Sequence, residues 1–87
     1  MSDGKIKGNN PELWGKLLED LDEKLQLGLL DKLRRAQGYH FEGQVLFLEA
    51  GSEEDQTYLS KPAVFTQLTV LAQESTGVEE VKIRQRA

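Results

Sequence analysis

The spacing of apolar residues changes three times along this chain, and the order of those changes limits its fold more than any other feature. Apolar residues recur at helical intervals from Leu13 to Leu33 and at strand intervals from Tyr39 to Leu48. Helical spacing returns from Tyr58 to Ala72, and a short strand pattern runs from Val78 to Ile83. The predicted order is helix, helix, strand, strand, broken helix, strand. It indicates a small α+β domain whose three-stranded sheet packs against helices.

The first half of the chain predicts two helices. Asn10 is a favoured N-cap and Pro11 suits the first helical position. The residues expected to face the core from this helix are Leu13, Trp14, Leu17, Leu18, Leu21 and Leu25. Gly28 is expected to interrupt the pattern. A second helix from about Leu29 to Ala36 follows, with Gly38 closing it in a left-handed conformation.

The middle of the chain predicts a β-hairpin from Tyr39 to Ala50, with Glu42-Gly43 at the turn. The stretch 45–48 is apolar at every position, which predicts a strand covered more completely than its partner. Ser52 then has the spacing of a capping box with Asp55, so a third helix should begin there and end near Leu59.

The last third of the chain is organised around a proline. Lys61-Pro62 must break the helical pattern, because a proline ring clashes with the preceding helical turn. A new helix should begin at Pro62 and end at Gly77. Its predicted core residues are Val64, Phe65, Leu68, Leu71 and Ala72.

Composition limits the classes of protein to which this chain can belong. Its 87 residues suit a single domain, which we expect over residues 10–87, preceded by a disordered leader or linker over residues 1–9. The absence of cysteine excludes a disulfide framework and favours a cytoplasmic setting. No apolar run approaches the roughly 20 residues that span a bilayer. A net charge of −4 argues against a dedicated nucleic-acid binder.

The sequence offers little equipment for catalysis. His40 is the only histidine, and it is expected to be an exposed strand residue rather than a base, because no nucleophile stands at an interpretable spacing. Glu53, Glu54 and Asp55 lack the ligand pattern of a calcium loop, and an acidic first helical turn explains them. We therefore expect a non-catalytic domain with no cofactor and no metal site.

The candidate functional residues are those that could contact a partner. Trp14 lies near the start of its helix, where a tryptophan is either core or a partly exposed anchor for another protein. The acidic residues Glu53, Glu54 and Asp55 form a second candidate surface. Lys82, Arg84 and Arg86 alternate along the last strand and tail. They are interpreted as solvated edge charges, with a small nucleic-acid-binding patch as the alternative.

Three segments together resemble one protein family. Residues 10–18 form a capped helix start that contains a tryptophan, residues 41–48 form a strand-turn-strand, and Leu59-Ser60-Lys61-Pro62 leads into a helix that ends at Gly77. With the final Val81-Lys82-Ile83, this pattern resembles the C-terminal module of bacterial DNA polymerase III gamma/tau subunits over about residues 10–84.

The resemblance implies a tethering or docking module of the replisome, with polymerase or helicase subunits as partners and the nucleotide-binding machinery elsewhere in the parent protein. A KH-like fold is also shared by the N-terminal domain of the initiator DnaA, which is the alternative. The sequence departs from DnaA at Leu33-Arg34-Arg35-Ala36 and at residues 51–55. A nucleic-acid-binding KH domain is the third reading, although its Gly-x-x-Gly loop is lacking here.

Overall fold

A computed structural model describes residues 8–84 and confirms the predicted order of elements. The elements are α1 (Pro11–Glu23), α2 (Leu27–Arg34), β1 (Gly38–Glu42), β2 (Val45–Glu49), α3 (Glu53–Ser60), α4 (Pro62–Thr76) and β3 (Glu80–Arg84). The chain is thus a small α+β domain in which four helices accompany one mixed sheet over the described residues. Within residues 8–84, no helix has the length and apolarity needed to cross a membrane.

The sheet has the strand order β1-β2-β3, in which β2 is antiparallel to β1 and parallel to β3. The hairpin turn consists of Gly43 and Gln44, one residue later than predicted, because Glu42 still pairs with Val45. Gly43 has φ +61°, a conformation that glycine adopts without the steric penalty of a side chain. The register aligns His40, Phe47 and Lys82 in one row across the three strands.

One face of the sheet packs against the helices and forms the core. The fully buried large side chains are Leu17, Leu21, Leu33, Leu46, Leu48, Leu59 and Leu68. The opposite face includes Val45 and Phe47, which are only half-buried. β2 has no exposed residue, whereas β1 ends in the exposed Glu42, but the second apolar face of β2 is the outer surface of the sheet and is only half-buried.

The predicted breaks after β2 are confirmed. Ser52 Oγ accepts a hydrogen bond of 3.2 Å from the Asp55 backbone N–H, which caps α3. Lys61 is extended (φ −62°, ψ 136°) and separates α3 from α4. Gly77 ends α4 in the left-handed conformation. Short polar caps and proline act locally, which is why their positions could be predicted from neighbouring residues.

The boundaries of the first two helices differ from the prediction. The Asn10 side chain makes no capping hydrogen bond, although its carbonyl accepts from the Trp14 N–H. Gly28 lies inside α2 rather than before it, and α2 ends at Arg34. Gly38 does not close that helix, because it is the first residue of β1. The segment between α1 and α2 therefore consists of residues 24–26 and lies earlier in the chain than the sequence suggests.

Residues 1–7 of the predicted leader lie outside the described residues, but Asn9 belongs to the fold. Its side-chain amide donates to the Phe41 carbonyl at 2.6 Å, and its side-chain oxygen accepts from the Phe41 N–H at 2.8 Å. The amide therefore satisfies two backbone groups of β1, as a neighbouring strand would. Asn9 thus occupies two backbone groups of β1, which hinders another chain from pairing with this strand at Phe41.

Replacing Asn9 with alanine should lower the free energy of unfolding by about 1–2 kcal/mol, because two backbone groups of Phe41 lose their partner. Chemical denaturation followed by circular dichroism measures this change. Asn10→Ala is the matched control, and its effect should stay within about 0.5 kcal/mol because the side chain forms no capping hydrogen bond. Equal effects of the two substitutions would contradict the pairing.

Candidate functional site

Trp14 is a core residue rather than an exposed anchor. Its side chain is 6% exposed and lies parallel to the Tyr39 ring, with 4.3 Å between the ring centroids and an interplanar angle of 2°. Tyr39 in turn meets Phe41 edge to face at 5.8 Å. Stacking of this kind joins α1 to β1. A partner could reach Trp14 only by separating these elements, so the partner-binding role considered from the sequence does not fit its position.

The three acidic candidates at the start of α3 occupy two different environments. Glu53 and Glu54 are exposed, whereas Asp55 is 3% exposed. The Asp55 carboxylate accepts hydrogen bonds from Arg35 Nη2 at 2.8 Å and Arg35 Nε at 3.2 Å. Because its charge is neutralised within the domain, Asp55 joins α2 to α3 and is not presented to a partner.

The charged residues of β3 lie on the outer face of the sheet. The Arg84 guanidinium is 5.0 Å from the centre of the Phe47 ring, and Lys82 is the cross-strand neighbour of Phe47. His40 is half-exposed there and lies 3.4 Å from Glu42. Arg86 is outside the described residues. Within residues 8–84, no three His, Cys, Asp or Glu side chains are grouped so that they could hold a metal ion.

The segment between α1 and α2 has a feature that the sequence did not predict. The Gln26 N–H donates to the Leu21 carbonyl at 2.8 Å, and the Leu25 N–H donates to the Asp22 carbonyl at 3.1 Å. These two bonds form a Schellman motif with Leu25 at the left-handed position, where φ is +58°. A leucine in this conformation costs roughly 1 kcal/mol relative to glycine.

Leu25 is also highly exposed, and other exposed apolar residues lie near it. Leu25 is 76% exposed and Leu27 is 55% exposed. We call residues 25–27 the leucine loop. Lys24 precedes this loop, and its Nζ atom forms an ion pair of 3.2 Å with Glu74 Oε1 of α4. Val70, one helical turn before Glu74, is 42% exposed. Val70 is therefore exposed on the same face of α4 as Glu74, the residue that joins α4 to Lys24.

A groove beside the leucine loop lies between α2 and α4. Its volume is about 380 Å³, and its lining residues are Gln26, Leu29, Tyr58, Ala63, Val64 and Gln67. None of these side chains is charged at neutral pH, so we call this the neutral groove. Tyr58 forms one wall and leans over α2, because a Cβ placed on Gly28 would lie 2.8 Å from the Tyr58 hydroxyl. The leucine loop and the neutral groove together form the candidate site.

Sequence reasoning missed this site because helical spacing assigned Leu25 to the buried face of the first helix. α1 ends at Glu23, two residues too early for that assignment. The spacing gave no signal of the turn, because Leu29 lies four residues after Leu25 and continues the helical interval through it. No glycine marks the Schellman motif, so composition gave no warning of the turn.

Replacing Leu25 with glycine should raise the free energy of unfolding by about 0.5–1 kcal/mol, because glycine adopts the left-handed conformation without steric penalty. Leu27→Gly is the matched control. It should lower the free energy of unfolding, because glycine makes the unfolded chain more flexible and Leu27 has no positive φ for glycine to relieve. Denaturant titration measures both. A destabilising Leu25→Gly would show that the conformation of Leu25 carries no strain.

The Arg35 hydrogen bonds hold the pKa of Asp55 below its ordinary value of 3.8. A carboxyl with a lowered pKa in the folded state stabilises the fold above its unfolded pKa, and that contribution is lost as the pH falls through the folded value. Asp55→Asn should therefore be less stable than the parent at pH 7, and the difference should shrink below about pH 4. Urea titration from pH 7 to pH 2 measures it. Glu53→Gln is the exposed control, and a pH-independent difference for Asp55→Asn would contradict the pairing.

Comparisons of this chain with protein-family models, with curated proteins and with solved structures found no match.

Proposed function

We propose that this chain is a non-catalytic protein-docking domain that binds its partner through the leucine loop. One observation carries the proposal: a leucine in a strained left-handed conformation is 76% exposed. Both its conformation and its exposure disfavour leucine at this position in the isolated domain. Strained residues concentrate at functional sites, and burying one leucine side chain in an interface contributes roughly 1.5–3 kcal/mol.

The geometry around the leucine loop suits a contact between proteins. Leu25, Leu27 and Val70 provide apolar area, and the neutral groove beside them has a concave surface. The Lys24 ammonium lies 3.1 Å from Asp20 and 3.2 Å from Glu74, which links the end of α1 to α4. A pre-organised apolar surface with a polar rim is typical of a binding hot spot.

For the identity of the domain, we propose a C-terminal module of the DNA polymerase III gamma/tau type, with a KH-like, DnaA N-terminal-like fold. The resemblance of residues 10–84 and the order of the elements support this proposal. The partners would then be polymerase or helicase subunits of the replisome, in the cytoplasm. The N-terminal domain of DnaA is the alternative parent.

Nucleic-acid binding by a KH-like domain is the second candidate function, and one observation favours it. Lys82, Arg84 and Phe47 share the outer face of the sheet, where cations and an aromatic ring could contact a single strand. The same face carries Glu42, Glu49 and Glu80 at neighbouring positions of the register. Because these carboxylates would repel phosphate, protein docking is the better supported function.

We expect the domain to bind a polymerase or helicase subunit, and Leu25→Ser with Leu27→Ser to weaken that binding at least tenfold. Tenfold corresponds to about 1.4 kcal/mol, less than the burial of two leucines contributes. Biolayer interferometry with purified replisome subunits measures the affinity. Trp14→Ala is unsuitable here, because it would remove the stacked ring from the core.

One control variant and three outcomes separate the parts of this proposal. Lys16→Gln, at an exposed position of α1 outside the leucine loop and the neutral groove, should leave the affinity unchanged. If neither subunit binds the unaltered domain, the gamma/tau assignment is wrong. If a subunit binds but the serine variants bind equally well, the partner uses another surface. Salt-sensitive binding of single-stranded DNA that is lost in Arg84→Glu would favour the second candidate.

A further inference from the structure

We propose that the neutral groove receives an amphipathic helix of the partner protein, with one large apolar side chain in the groove and carboxylates of the same helix facing Lys61 and Lys32. The inference rests on the proposed docking function and specifies the chemistry of the partner. It follows from the shape of the groove, its uncharged lining and the cations on one side of it.

The groove has the dimensions and lining that an apolar anchor requires. Its volume of about 380 Å³ lies near the lower end of the range for binding pockets. Leu29 and Val64 supply apolar surface, and the Tyr58 ring forms a flat wall. Gln26, Gln67 and the Tyr58 hydroxyl are the polar groups of the lining, and they can donate or accept hydrogen bonds with a partner backbone. No carboxylate lines the groove, so an apolar side chain can enter it without burying a charge.

Two lysines lie against the Tyr58 ring, which is shared by the neutral groove and a second groove. The Lys32 Nζ atom lies 5.0 Å from the centre of the Tyr58 ring, and the Lys61 Nζ atom lies 5.9 Å from it. Lys32 is also 3.8 Å from Asp31, whereas Lys61 has no ion pair among residues 8–84. Both lysines line the separate, polar groove on the other side of Tyr58, together with Glu53 and Glu54, and neither lines the neutral groove itself. A carboxylate on the partner therefore finds an unmatched ammonium group at Lys61.

The arrangement of the walls favours a helix as the occupant. The neutral groove lies between two helices, α2 and α4, and the leucine loop stands at one end of it. A helix places apolar anchors one turn apart, about 5.4 Å along its axis. One anchor can enter the groove while the next covers Leu27 or Leu25. A carboxylate on the adjacent turn then lies beside Lys61.

The probe is a phage-displayed library of 16-residue helical peptides, selected against the domain. We expect enriched peptides to carry apolar residues at i and i+3 or i+4, with Asp or Glu beside them. Ala63→Trp places an indole in the groove from an exposed position and should weaken the best peptide at least tenfold. Lys61→Glu should weaken it at least threefold and reduce the dependence of its affinity on salt.

Lys16 supplies the matched controls, because it is exposed on α1 and lines neither groove. Lys16→Trp and Lys16→Glu should bind the peptide within twofold of the parent domain. The inference is overturned if no peptide is enriched, if the enriched peptides are basic, or if Ala63→Trp leaves their affinity unchanged. Sedimentation of the domain alone tests whether a second copy of the chain fills the groove. A dimer that is abolished by Ala63→Trp would show that it does, and would overturn the inference.

The failure of this inference can be told apart from the failure of the proposed function. If a replisome subunit binds through Leu25 and Leu27 but tolerates Ala63→Trp, docking stands and the helix in the groove does not. If acidic helical peptides bind the groove while no replisome subunit binds the domain, the groove inference stands and the gamma/tau assignment falls.

Discussion

Burial of one face of a three-stranded sheet is the constraint on which the rest of this structure depends. Seven fully buried leucines, contributed by the four helices and β2, form the core against that face. Among residues 8–84, the helices cover this face alone, and Phe47 on the outer face stays half-buried.

The candidate site follows from the same core. Leu21 of α1 and Leu29 of α2, before and after the leucine loop, are both buried. The Schellman motif at the end of α1 changes the course of the chain between them and leaves Leu25 exposed in a strained conformation. The Lys24–Glu74 ion pair links the end of α1 to α4. Core packing thus supplies a rigid position for an otherwise unfavourable exposed leucine.

The features of the candidate residues that could be predicted from sequence are those with local causes. The cap at Ser52 and the break at Lys61 depend on residues within one turn, and both were predicted. Trp14 was open to two interpretations, because a helix start can be buried or exposed. Its stacking on Tyr39, 25 positions along the chain, decides between them. The sequence predicted that Asp55 belongs to a solvent-exposed first helical turn. Only the tertiary structure brings Arg35 against it, so that the two residues form an ion pair within the domain.

The sequence by itself determined the order of the elements, the chain reversals at Gly43 and Gly77, and the absence of disulfide chemistry, because these depend on local spacing and composition. Only the tertiary structure decided that β3 lies parallel to β2, that Asn9 pairs with β1 and that Leu25 faces solvent. Those outcomes depend on contacts between residues far apart in the sequence and on the position at which α1 ends. The periodicity of apolar residues shows which residues share one face of an element, but it does not show which other element packs against that face.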